Sequence, residues 1–382
     1  MIILLKHYSK TYYLTHIKKK RYLLSLLFLF YTSGLFAINY SYDNNYSIYS
    51  SGLVDIKSNK LSLNTFDNKW ESIPDHKEDN YINGKLYYDL YFTTKDIQIG
   101  LFNKRELELY INDGFIQTWA NANNDFKTLL LKNNIGDDID YVNIKGDINY
   151  YLASGLYIKK KYSIHNHILS IRLNLLRATD LEFIKVSGSN SNEEFLLDID
   201  TFYSKKNLIT KNDNLEDSYA YGHSIDINYK YLKNNFIFDL NIYNLYSYIY
   251  WKDVAFMHYT FNSNTVYIGD DGYKHNRAFG VGYYKYNQKY TQKISPFIKT
   301  KLNYKLSQNT YIGDLFDIYK NFYTNELFIT QKYSIFNFKL AYILENKIAL
   351  FGFGTNNYNI EISNKFSTSN TVLKLNYKIK LW

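Results

Sequence analysis

The feature that most constrains this chain is a period of two. Residues 218–231 read SYAYGHSIDINYKY and put Tyr219, Tyr221, Ile225, Ile227, Tyr229 and Tyr231 on one side of an extended backbone. Ser218, Ser224, Asp226, Asn228 and Lys230 take the other side. After the turn LKNN, residues 236–251 continue with Phe236, Phe238, Leu240, Ile242, Tyr246, Tyr248 and Tyr250 on one parity, against Asp239, Asn241 and Ser247. A strict alternation of this kind fits a strand with one apolar and one polar face and cannot be seated on a helix. Both runs are about twice the usual strand length of a globular protein.

The pattern recurs along the chain. Leu86, Leu90 and Phe92 flank Asp89, Leu107 and Leu109 alternate with Glu106 and Glu108, and Leu169, Ile171, Leu173 and Leu175 alternate with Ser170, Arg172 and Asn174. Phe195, Leu197 and Ile199 alternate with Asp198 and Asp200, Ile298, Leu302 and Tyr304 with Lys299, Lys301 and Lys305, and Phe336, Phe338 and Leu340 with Asn337 and Lys339. Short polar turns separate some of these runs (165–167, 307–309, 344–347, 367–370), and longer polar stretches separate others (187–194, 205–217, 262–277). Long two-faced strands with short turns and longer loops describe a transmembrane β-barrel whose apolar parity meets lipid and whose polar parity lines the lumen. A secreted β-sandwich also alternates, but its strands are shorter and its inner face is richer in Val, Leu and Ile. The expectation is an all-β, antiparallel transmembrane barrel of about 14 strands, with 12 to 16 compatible, over residues 81–382. Residues 38–80 alternate poorly and are assigned to early strands or a lumen plug.

Composition agrees with that class. The chain holds 43 Tyr, 25 Phe and 4 Trp but only two Pro, which favours uninterrupted ladders. It has no Cys, so disulfides, thiolate metal sites and Cys nucleophiles are excluded. The segment KKKRYLLSLLFLFYTSGLFA (18–37) has a basic start, a short apolar run and small residues before Ala37, the pattern of a secretory signal peptide ending near residue 37. Residues 1–37 carry six basic residues and no acid, so removing them from a net of +9 leaves +3. A nearly balanced chain gives no footing for nucleic-acid binding.

Candidate chemistry is sparse. His223 and Ser224 are adjacent in a strand and point to opposite faces, so they form no nucleophile–base pair. His165 and His167 flank a turn without a visible third metal ligand, and Asp270, Asp271 and His275 lie in an ordinary Asp-Gly loop. No catalytic residue, metal or cofactor is expected. What remains is the lumen. Its polar parity carries Asp89, Glu106, Glu108, Asp198, Asp200, Asp226 and Asp239 in the first two thirds, and Lys299, Lys301, Lys305, Lys339, Lys374, Lys378 and Lys380 in the last third. Closing the barrel sets an acidic arc against a basic one, and such a transverse field orients polar solutes.

The last residues, NTVLKLNYKIKLW (370–382), place Leu373, Leu375, Tyr377, Ile379 and Leu381 on one parity and Lys374, Lys378 and Lys380 on the other. Together with the leader and the repeated two-faced strands, this ending resembles Gram-negative outer-membrane β-barrel proteins, porin-like ones among them. The resemblance implies that Tyr377, Ile379, Leu381 and Trp382 are read by the barrel-insertion machinery, with outer-membrane lipid as the surrounding partner. Trp382 departs from the family pattern, since it shares parity with the lysines. A fainter likeness is to fatty-acid-transporter-like barrels, which have 14 strands and an amino-terminal hatch, although their Asn-Pro-Ala start is missing at Ile38. The function expected is passive diffusion of small hydrophilic solutes through a charged, water-filled lumen. The alternatives are a non-channel barrel with a surface or assembly role and a transporter of hydrophobic solutes. The oligomeric state is left open.

Overall fold

The computed structural model describes residues 46–58, 80–121, 141–191, 195–205, 218–268, 272–320, 322–363 and 372–381. The leader at 1–37, Trp382, most of the loop at 205–217, and Asp270 and Asp271 lie outside the described residues. Among the described residues, sixteen strands and one helix follow in chain order. They are β1 (Ser47–Ser58), β2 (Asn80–Thr93), β3 (Ile97–Ile111), α1 (Asp113–Asn121), β4 (Val142–Ile164), β5 (His167–Asn190), β6 (Phe195–Tyr203), β7 (Ala220–Lys233) and β8 (Phe236–Ile268). Then come β9 (Lys274–Lys293), β10 (Phe297–Lys305), β11 (Thr310–Tyr319), β12 (Phe322–Tyr333), β13 (Phe336–Ile343), β14 (Ile348–Thr355), β15 (Tyr358–Ser363) and β16 (Val372–Lys380).

Fourteen of these strands close a ring, β1-β2-β3-β4-β5-β7-β8-β10-β11-β12-β13-β14-β15-β16, and β16 pairs back onto β1 from Tyr49↔Lys380 to Lys57↔Val372. Every pairing is antiparallel, and the closure of β16 onto β1 leaves no open edge in the ring. β1 lies inside the segment 38–80, which the sequence assigns to early strands or a lumen plug, and it forms part of the wall from Ser47 to Ser58. The seam is tight. Gly52 faces outward on β1, and a Cβ there would strike the ring of Tyr377, which lies across it from β16.

The apolar parity faces out. Leu90, Ile99, Leu101, Leu156, Ile158, Leu173, Leu175, Leu327, Leu340 and Phe351 are all exposed large side chains. Tyr162, Tyr304, Tyr333 and Tyr358 ring the end that carries the short turns. An outward apolar belt bounded by aromatics is the surface lipid requires. Strands β10–β14 have 8 to 12 residues, close to what a tilted strand needs to cross a bilayer. Turns 165–166 and 307–309 lie at one end of the wall, whereas 344–347 lies at the other.

The opposite wall is much taller. β4 and β5 have 23 and 24 residues and β8 has 33. Its neighbours on β8 are each made of two pieces. β7 fills the lower gap between β5 and β8, and β6 fills the gap above it, pairing Glu182–Asn190 on one side and Ala255–Asn262 on the other. On the far side β10 pairs with Phe236–Tyr243, and β9 continues above along Tyr248–Ile268. The break between β9 and β10 contains Pro296, which cannot donate to the ladder, and it faces a bulge in β8. There Asn244 adopts φ 53°, and its amide donates to Asp226 Oδ1 at 2.9 Å. A second bulge, at Thr179 in β5, exchanges the inward and outward parities above it. Helix α1 is capped by Asn112, whose Oδ1 accepts from Phe115 N at 3.1 Å and Lys145 N at 2.8 Å. It packs Phe115 and Ile116 against Ile82, Ile111 and Ile144, on the side of the tall wall away from the lumen.

Candidate functional site

Inside the tall wall the lumen is filled by side chains. Tyr91, Phe102, Tyr151, Tyr157, Leu176, Leu181, Ile249, Trp251 and Ile294 are buried in one cluster, with Phe183, Phe202 and Tyr290 packed against it. Phe202 and Tyr290 stack with centroids 4.2 Å apart. Trp251 Nε1 donates to Gln292 Oε1 at 3.1 Å, and Gln292 Nε2 donates to Asn149 Oδ1 at 2.6 Å. Gln292 is on β9 and Asn149 on β4, two strands that do not pair, so this bridge ties the top of the tall wall together across the interior. A buried amide with both ends satisfied fixes one packing of the apolar groups around it.

The rest of the interior is crossed by charged and aromatic contacts between walls six places apart in the ring order. Lys57 on β1 pairs with Asp317 on β11, both nearly excluded from solvent. Lys85 Nζ on β2 lies 3.8 Å from the centroid of Phe297 on β10. Lys320 Nζ, at the β11–β12 turn, is 3.3 Å from Glu108 Oε2 on β3, and Tyr81 stacks on Phe322 at 5.7 Å. These contacts divide the lumen into two chambers. The larger, about 440 Å³, reaches from Gln98, Lys159 and Lys378 near the short-turn end to Lys85, Glu106 and Phe297. The smaller, about 280 Å³, lies beyond the crossing layer among Tyr81, Glu108, Tyr110, Asp147, Phe183 and Phe322.

The charges named from the sequence are on the inner parity, but they are not sorted into two arcs. Asp89 accepts from Ser51, from Tyr87 at 3.1 Å and from Tyr157 at 3.0 Å. Glu106 is 3.8 Å from Lys104, Asp239 is 3.6 Å from Lys230, and Asp226 accepts from Asn174 at 3.0 Å with Arg172 at 3.9 Å. Asp198 and Asp200 belong to β6, in the upper wall, where Thr260 donates to Asp198 at 2.7 Å and His258 Nδ1 lies 2.7 Å from Asp200. Lys339 and Lys374 are held by Glu326 and Glu361, at 2.8 Å for Lys374 to Glu326 and 3.0 Å for Lys339 to Glu361. Lys301 lies 5.0 Å from the Phe328 centroid and Lys378 4.8 Å from that of Tyr49. Lys305 and Lys380 sit at the short-turn end, in register with Tyr311 and Tyr49. The transverse field expected from the sequence is therefore broken up. Each arc contains groups of the other sign that were not counted: Lys85, Lys104 and Arg172 on one side, and Asp317, Glu326 and Glu361 on the other. A charge taken from water is stabilised chiefly by an opposite charge within a few ångströms, so pairs form locally before any field spans the lumen.

Arg172 was visible on the polar parity of 169–175 but not singled out. Its guanidinium lies 3.5 Å from the Tyr157 centroid, donates to Tyr87, and reaches Asn174 Oδ1 at 2.7 Å. His167 Nδ1 is 2.7 Å from the Tyr229 hydroxyl, and His223 packs on Tyr246, which leaves neither poised for chemistry. Among the described residues no group of three or more His, Asp or Glu is arranged to hold a metal ion.

No protein-family model matches the chain, and no curated relative matches it in sequence. Solved structures are similar at the level of the barrel. A deletion variant of the monoaromatic hydrocarbon channel TodX matches with 10% identity and a TM-score of 0.41, over 88% of this chain and 90% of that one. The Pseudomonas putida toluene transporter TodX itself matches with 9% identity and a TM-score of 0.38, over 89% of each chain. The outer-membrane protease OmpT of Escherichia coli matches with 9% identity and a TM-score of 0.23, over 90% and 99%. Likenesses this distant say nothing about a solute.

Proposed function

We propose that this closed transmembrane barrel resides in a bacterial outer membrane and is a gated channel for a small solute with apolar surface. The observation that carries this reading is the state of the lumen. It holds two separate chambers, with an aromatic core on one side and a layer of ion pairs and cation–ring contacts on the other. An open, water-filled diffusion pore has no such layer. Aromatic walls with a few placed polar groups favour a solute that buries a flat apolar surface. The outward apolar belt and the aromatic rims support the membrane location, and the leader segment at 18–37 supports export.

The test is flux. Refolded, heat-modifiable protein in liposomes should admit tryptophan, which offers an aromatic surface and crosses lipid poorly, faster than arabinose. Equal entry of both, with large stepwise conductance in planar bilayers, would return the protein to the hydrophilic diffusion pores. Entry of neither would leave a non-channel barrel, a reading favoured by one observation, the 33-residue strand that carries the wall well past the membrane.

A further inference from the structure

We propose that the larger chamber is a binding site for a small organic anion with a flat apolar body. The proposal deepens the channel reading and rests on it. Six cationic side chains line the chamber, Lys85, Lys104, Lys159, Arg172, Lys299 and Lys378, against four acids, Asp55, Asp89, Glu106 and Asp226. The count alone leaves an excess of two positive charges, and the way the groups are engaged decides which ones are available.

Three of the four acids are committed. Asp89 is capped by three hydroxyls, Asp226 by Asn174, the Asn244 amide and Arg172, and Glu106 by Lys104. Asp55 stands in register between Lys85 and Lys374, with one carboxylate oxygen unbonded. The cations are not equally committed. Arg172 is stacked and hydrogen-bonded, Lys104 is paired, and Lys85 lies on the Phe297 ring. Lys159 and Lys299 are half-buried and Lys378 is exposed on the lumen side, and among the described residues none of the three has a carboxylate within ion-pair distance. Asp317, the acid in register with Lys299, is already taken by Lys57. Three ammonium groups with no ion-pair partner among the described residues therefore face one cavity walled by Tyr87, Phe102, Tyr243 and Phe297. An ammonium half withdrawn from water gains most from an anion brought to it, and the rings gain from an apolar body carried with that anion. A cation or a neutral polar solute satisfies neither.

The experiment is binding by calorimetry to the full chain in detergent, using benzoate, benzyl alcohol, benzylamine and acetate. Benzoate is expected to bind at least about tenfold more tightly than the other three, as one charge-assisted contact added to ring burial requires. Its affinity should fall with added salt. Lys299→Gln combined with Lys378→Gln should weaken benzoate about tenfold and leave benzyl alcohol unchanged, while Lys299→Arg combined with Lys378→Arg should keep benzoate. Heat-modifiability checks that each variant is folded. If the double Gln variant fails to fold, Lys378→Gln alone replaces it, since the Lys378 ammonium lies over the Tyr49 ring and holds no carboxylate among the described residues. Benzylamine binding as tightly as benzoate, or benzoate indifferent to the Gln variants, would overturn the proposal. Tryptophan entry into liposomes is a separate readout, so the channel reading stands or falls on flux whichever way the benzoate binding falls.

Discussion

The two sides of the lumen are closed by different physics. Under the tall wall the interior is shut by Trp251, Tyr151, Leu181, Phe202 and Tyr290, tied by a single amide bridge through Gln292. Between the short wall and β1–β3 it is shut by Lys57–Asp317, Lys320–Glu108 and Lys85 on Phe297. An apolar core has no comparable partner to exchange and opens only by losing its packing. An ion-paired layer can trade its internal partner for water, salt or a charged solute at far lower cost. Under the proposed channel function, the difference would make the tall side the permanent wall and the short side the gate.

Substitutions test that assignment, from the largest expected effect downward. Trp251→Ala should cost about 3–5 kcal/mol of unfolding free energy, measured by urea unfolding in detergent, because it removes the centre of the core and strands Gln292. Trp251→Phe should recover much of that loss. If Trp251→Ala instead leaves stability unchanged and raises conductance, the tall side is the gate and the comparison is reversed. Asp317→Asn should cost about 3 kcal/mol by leaving Lys57 facing a neutral amide, and Lys57→Met with Asp317→Leu should restore most of it. A double variant no better than the single one would mean the pair is not coupled.

Smaller effects test the frame around the two sides. Gly52→Val should cost about 1–3 kcal/mol by forcing Tyr377 off the β1–β16 seam, seen as a lower urea midpoint. Asn112→Ala should cost about 1 kcal/mol and act on α1 and its tie to the start of β4, with tryptophan flux unchanged. A loss of flux in that variant would tie the outer helix to gating, which the packing of α1 on the side away from the lumen argues against.

The barrel was legible because alternation is local. In β2, β13 and β16 a single parity holds from end to end, so Leu90, Phe338 and Leu375 could be assigned to lipid without knowing a neighbour. The strand count followed from spacing for the same reason. The bulges at Thr179 and Asn244 were not legible, since an extra residue in a strand leaves no mark until the partner strand is placed. The site failed to read correctly on similar grounds. Asp317 alternates with Leu315 and Tyr319, all three inward, so β11 gives no clean polar face to count. Glu326 and Glu361 are each one residue in a strand, and only the ring order brings them to Lys339 and Lys374. Counting charges along the chain produced two arcs, and pairing them across the ring removed them. The unpaired trio Lys159, Lys299 and Lys378 comes from three strands far apart in sequence, and no spacing announces it.

The most direct test of an occluded, gated lumen is single-channel recording in planar bilayers of the native chain beside a variant with Lys57, Lys85 and Lys320 all changed to Ala. The account predicts a native chain that is closed for most of the record, with brief openings, and a variant with a steady conductance several times larger. A native chain that is continuously open, with the variant no different, would contradict it.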